Sequence, residues 1–142
     1  MTYRKIPLVA VIFLSGCDEG GMDAFRGAPS TDWEMQVVFQ CADALGERGA
    51  LTESQGRACS KLDECMFDAT RATALNLTTS WRTYDKIVPR KEVIDRQPFD
   101  MSVLGSRAEQ AGPEARAMFA TMVKIREQCL VETGLRELVS DS

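Results

Sequence analysis

From residue 33 onward, apolar side chains recur at intervals of three and four, and that spacing predicts helices. Trp33, Val37, Val38, Cys41, Ala44 and Leu45 line one face of a first helix. It is expected to begin at Thr31. In Thr31-Asp32-Trp33-Glu34 the threonine hydroxyl would cap an early backbone N–H and Glu34 would reach back, a capping box. Asp32 and Glu34 also suit the positive end of the helix dipole. Gly46 and Gly49 are expected to end this helix. Thr52-Glu53-Ser54-Gln55 offers a second box, opening a helix through Cys59, Leu62, Cys65, Met66, Ala69 and Ala72 toward Leu75. Trp81, Tyr84, Ile87 and Val88 predict a third helix over 79–88, which Pro89 interrupts or turns into another. Gln97-Pro98-Phe99-Asp100 reads as a turn. Asp100 or Ser102 then caps a short helix through Met101, Val103, Leu104 and Ala108. Gly112 precedes Pro113, a favourable first helical residue. The last long helix carries the cleanest stripe, Met118, Met122, Ile125 and Cys129, and Gly134 should end it. There is no internal repeat and no run of alternating β residues. The expected fold class is all-α, a small bundle of four to six helices stapled by two disulfides.

The first residues follow a different pattern. Tyr3-Arg4-Lys5 is short, polar and positive, an apolar run occupies 6–14, and Leu14-Ser15-Gly16-Cys17 closes it. A membrane-spanning helix needs about 20 apolar residues, so this run is too short for one. Its order of features is that of a signal peptide, and the closing tetrapeptide resembles the lipobox of bacterial lipoproteins. The resemblance covers these residues alone. It implies cleavage before Cys17 and a thioether-linked diacylglycerol on that cysteine, with an N-acyl chain such as palmitate. More than one chain matters, because a single chain binds membranes only marginally. Asp18 and Glu19 resemble the inner-membrane retention signal of enteric-type lipoproteins, which implies a domain on the periplasmic face. Other lineages sort differently, and the outer membrane is the alternative. The organisation expected is a signal peptide at 1–16, the acylated Cys17 and a Gly-bearing tether over 17–30, and one helical domain over 31–139.

Charge and cysteines sharpen this picture. The chain has 17 Lys+Arg and 21 Asp+Glu. Losing Arg4 and Lys5 with the first 16 residues leaves a net charge of −6 over 126 residues. That balance argues against nucleic acid as a partner. Of five cysteines, Cys17 is assigned to lipid, and Cys41, Cys59, Cys65 and Cys129 remain. An even remainder in an oxidising compartment reads as two disulfides. A short connection makes the first two helices antiparallel and brings Cys41 opposite Cys59. Cys59 and Cys65 would stand about 9 Å apart along one helix, too far for a bridge. Cys41–Cys59 with Cys65–Cys129 is therefore preferred, and Cys41–Cys65 with Cys59–Cys129 is the alternative. With no His in the chain and no CxxC spacing, neither a metal site nor a redox pair is expected.

The same absences remove most catalytic machinery. Without His there is no Ser-His-Asp or Cys-His pair, and no nucleophile-elbow or phosphate-loop motif occurs. Glu64 and Asp68 sit four apart, so one helix face carries both carboxylates. They read as a cation or acid–base pair, or as a solvated acidic face. Trp81, Arg82, Lys86, Arg90 and Lys91 belong to the most basic segment and are the candidate partner-binding residues. Such a helix suits anionic headgroups or an acidic partner; the alternative is core packing with solvated charges. No cofactor is expected beyond lipid on Cys17. The function these features predict is a membrane-anchored, periplasm-facing helical lipoprotein that binds an envelope protein. Small tethered domains of this kind serve as accessory subunits of secretion or conjugation systems, exclusion factors or inhibitors, by analogy only. The alternatives are a small carboxylate-based periplasmic enzyme and a passive envelope-structure protein.

Overall fold

Pro29 opens the first helix, α1, Pro29–Gly46. Its fixed φ suits the first helical position and its missing N–H is no loss there. The helix therefore starts two residues before the expected cap at Thr31, whose N–H donates to Ala28 O at 3.1 Å. Glu34, expected to return to Thr31, instead faces the second helix (below). The computed structural model describes residues 27–46, 52–76, 80–95 and 100–139. The signal-peptide segment, Cys17, most of the tether, the connection at Gly49 and the turn at Pro98 lie outside the described residues.

The second helix, α2, spans Glu53–Arg71 and starts with the expected box. Gln55 N–H donates to Thr52 Oγ1 at 3.2 Å, and Thr52 N–H donates to Gln55 Oε1 at 2.9 Å. A 3-10 turn, Ala74–Asn76, follows and buries Leu75. The third helical region splits in two: α3, Trp81–Ile87, and α4, Arg90–Ile94, with Pro89 as the N-cap of α4. Proline disfavours the α conformation of the residue before it, and Val88 accordingly leaves the helix at ψ 88°. Asp100 caps α5, Met101–Ala111, accepting from the N–H groups of Ser102 and Val103. Gly112, at φ +111°, separates it from α6, Pro113–Glu132. Gly134, at φ +72°, ends α6. Gly134 N–H donates to Val131 O and Leu135 N–H to Leu130 O, the paired bonds of a Schellman motif.

The protein is all-α across its described residues. α1 packs on α2, α2 on α6, and α6 with α5 on α3. Trp33, Val37, Leu62, Met66, Tyr84, Ile87, Met122 and Leu130 are buried together in one core. Met122 lies inside it and Met118 packs against it, so the stripe on α6 faces the core. Two disulfides staple the bundle: Cys41–Cys59 joins α1 to α2 and Cys65–Cys129 joins α2 to α6, with Cα separations of 6.0 and 5.6 Å. This is the preferred pairing. Six positions turn a helix through about 600°, so Cys59 and Cys65 leave α2 about 120° apart and reach different neighbours.

Candidate functional site

Of the five predicted partner-facing residues, Trp81 is not at the surface. It is 3 % exposed and stands edge-on to Tyr84, with ring centroids 5.5 Å apart. Its indole N–H donates to Gly27 O at 2.7 Å, so burial leaves that polar tip satisfied. Trp81 is thus a packing residue that fixes where the chain enters the domain. Tyr84, one turn on, donates its hydroxyl proton to Asp32 Oδ2 at 2.6 Å. Together the two aromatics pin the beginning of α1 to α3.

The four cations behave differently. Arg82, Lys86, Arg90 and Lys91 are all exposed. Arg82 and Lys86 are four apart on α3, on the side away from the buried Trp81, Tyr84 and Ile87. On α4, helical spacing sets Ile94 between Arg90 and Lys91, and Ile94 is 67 % exposed. The nearby acids are unequal opponents. Glu92 receives Arg107 of α5 through both oxygens, at 2.7 and 2.5 Å, while Arg107 also donates to Ile87 O. Its charge is therefore offset by α5 and not by the exposed cations. Asp85 and Asp95 remain on the segment. The outcome is a cationic surface with one protruding aliphatic group, on a chain of net charge −4.

A second cluster, which the sequence analysis did not single out, joins α1 to α2. Glu34 of α1 is 8 % exposed, and its carboxyl is hydrogen-bonded to that of Asp63 on α2. Two carboxyl groups bond to one another only when one carries a proton. Burial, then the hydrogen bond and negative charge of Asp63, push Glu34 up to about 7, against the opposing charge of Arg71. Arg71 also lies over the Phe67 ring, 4.1 Å from its centroid, and Phe67 is 45 % exposed. The signal was present: Glu34, Val37 and Cys41 follow i, i+3, i+7, so Glu34 shares the buried stripe. By contrast Glu64 and Asp68 are both exposed, the solvated face that was the alternative reading. Arg126 of α6, 1 % exposed, falls between Met122 and Cys129 on the apolar stripe in the same way as Glu34 does on α1; its guanidinium donates to Gln40 Oε1 on α1 at 3.0 Å.

Among the described residues, no group of three or more Cys, Asp or Glu side chains is arranged to hold a metal ion. No helix among them is long and apolar enough to cross a membrane. No family model matches the chain, and neither characterised proteins nor solved structures match it.

Proposed function

We propose that this chain is a lipid-anchored envelope protein, cut before Cys17, acylated there, and acting at the periplasmic face of the inner membrane as a protein-interaction module. Cysteine pairing is the observation that carries this reading. Of five cysteines, four form Cys41–Cys59 and Cys65–Cys129, and the one left over is the last residue of the lipobox-like tetrapeptide. Disulfides persist in oxidising compartments and are rare in the cytosol. The pairing therefore agrees with export independently of the N-terminal pattern. On the domain, Phe67 under Arg71 is the group best suited to a protein partner, because aromatic and arginine side chains dominate interface energetics.

The test has two parts. Mass spectrometry of the protein from its native host should find an N-terminal Cys17 carrying acyl chains, and incorporation of labelled palmitate should vanish in Cys17→Ser. A photo-crosslinker at position 67 should capture one envelope protein, and Cys17→Ser should abolish the capture. An unprocessed N-terminus with all five thiols free would refute the reading.

Glu34 favours one second reading, a carboxylate-based enzyme, since an acid poised near neutrality serves as acid or base. Its position between two packed helices gives a substrate little to reach. Glu34→Gln separates the two: an interaction module keeps its crosslinked partner, whereas a carboxylate enzyme loses turnover.

A further inference from the structure

We infer that the α3–α4 surface, formed by Arg82, Lys86, Arg90, Lys91 and Ile94, lies against the anionic lipid headgroups of the bilayer that holds the anchor. The inference rests on the lipoprotein reading above and adds an orientation and a ligand to it.

Three observations carry it. The first is the attachment point. Gly27 accepts a hydrogen bond from the indole of Trp81, the first residue of α3, and Arg82 is the next residue. From Cys17 to Gly27 there are ten residues, which span at most about 36 Å. The chain from the anchor thus enters the domain at the start of α3, the helix that carries Arg82 and Lys86. The second is charge. Against the four cations the segment sets Asp85 and Asp95, while Glu92 is matched by Arg107. Lys86 and Arg90 are four residues apart, hence within about 14 Å, close enough for the exposed cations of α3 and α4 to meet neighbouring headgroups. Away from this surface the chain is acidic overall, and an anionic leaflet would repel it. The third is Ile94. At 67 % exposed between two cations, it has the arrangement of an interfacial segment, in which an aliphatic group enters the headgroup boundary while flanking cations meet phosphates. An acidic protein surface would satisfy the charges, but it accounts for neither the attachment point nor Ile94.

A cation near an anionic leaflet contributes about a fivefold gain in occupancy. The net excess of two charges then gives roughly a thirtyfold preference for an anionic over a zwitterionic surface.

The test uses acylated full-length protein, its Cys17 modification verified by mass spectrometry, reconstituted into phosphatidylcholine vesicles with and without phosphatidylglycerol. A water-soluble amine reagent reports on Lys86 and Lys91, and Lys61, exposed on α2, is the internal control. We expect Lys86 and Lys91 to react about tenfold more slowly on the anionic vesicles, with Lys61 unchanged. Protection should fall in 1 M salt and in the Arg82→Glu, Arg90→Glu, Ile94→Asp variant, read in that variant at Lys86 and Lys91. Equal reactivity on both vesicle types, or protection that appears only when envelope proteins are added, overturns the inference. Absence of acyl chains on Cys17 overturns the lipoprotein reading instead, so the two failures are distinguishable.

Discussion

Glu34 occupies a position where an ordinary carboxylate is costly, and burial beside Asp63 makes it keep its proton up to about pH 7. Its folded-state value of about 7 exceeds the ordinary carboxyl value of 4.5. A folded-state value raised in this way means that the native state binds the proton more tightly than the unfolded chain. The associated stability is fully present below about 4.5 and is lost as pH rises through about 7. Two and a half units correspond to about 3 kcal/mol as an upper figure. Urea midpoints should therefore fall between pH 5 and pH 8. Glu34→Gln, whose amide can still donate to Asp63, should flatten that profile and stabilise the protein at pH 8. An unchanged slope in the variant would remove Glu34 as its source. Tyr84 makes a second prediction at this scale. Its hydroxyl bonds an aspartate oxygen at 2.6 Å, and bonds to charged groups contribute about 1.5–3 kcal/mol. Tyr84→Phe should cost about 1–2 kcal/mol in denaturant titration, because the partly exposed Asp32 recovers some water. Spacing put Glu34 on the buried stripe but left its role open. A capping motif and a buried stripe made competing claims on Glu34, and burial against α2 prevailed. Trp81 was ambiguous for the opposite reason: an aromatic at helical spacing reads alike whether it faces core or partner.

At the scale of elements, the sequence was clearest where backbone chemistry is most restrictive. Gln55, Asp100, Pro113 and Gly134 each do what their residue type predicts, because a cap, a fixed φ or a positive φ admits few alternatives. Gly134→Ala should consequently cost about 1 kcal/mol, since φ +72° penalises a side chain, and thermal melts would show a lower midpoint. A midpoint equal to the parent's would mean that the end of α6 refolds without its left-handed turn. The short pieces were far less legible. α4 has five residues, too few to show a period, and it is held by Arg107 of α5, a tertiary contact between residues 15 apart in sequence. Pattern reading at 79–88 therefore merged α3 with its flanks and left α4 as an open alternative. The segment that carries the cationic surface is thus the one whose structure depends most on long-range contacts.

For the molecule as a whole, α2 is the common member of both staples, and that arrangement ranks the two bridges. Cys41–Cys59 closes 18 residues and joins helices that are already sequence neighbours, whereas Cys65–Cys129 closes 64 residues that include α3, α4 and α5. In the chain-entropy model these loops contribute about 3 and about 4 kcal/mol. Those sizes are close to the whole net stability of a small domain. The difference in placement exceeds the difference in loop length. Without Cys41–Cys59, the two helices remain tied by a short connection and by the Glu34–Asp63 bond. Without Cys65–Cys129, α6 is held on α2 by packing, with no crosslink between the two helices among the described residues. Paired alanine variants should show this. Cys65→Ala with Cys129→Ala should lower the urea midpoint more than Cys41→Ala with Cys59→Ala. It should also raise amide exchange in α6 while α1 and the N-terminal half of α2 stay protected. Equal losses for the two pairs, with exchange spread evenly, would mean that the bundle is held by its core and that the cysteines add only local rigidity. The predicted inequality follows from a chain that leaves α2, runs through three helices whose contacts are mostly with α5 and α6, and closes on α2 again at Cys129.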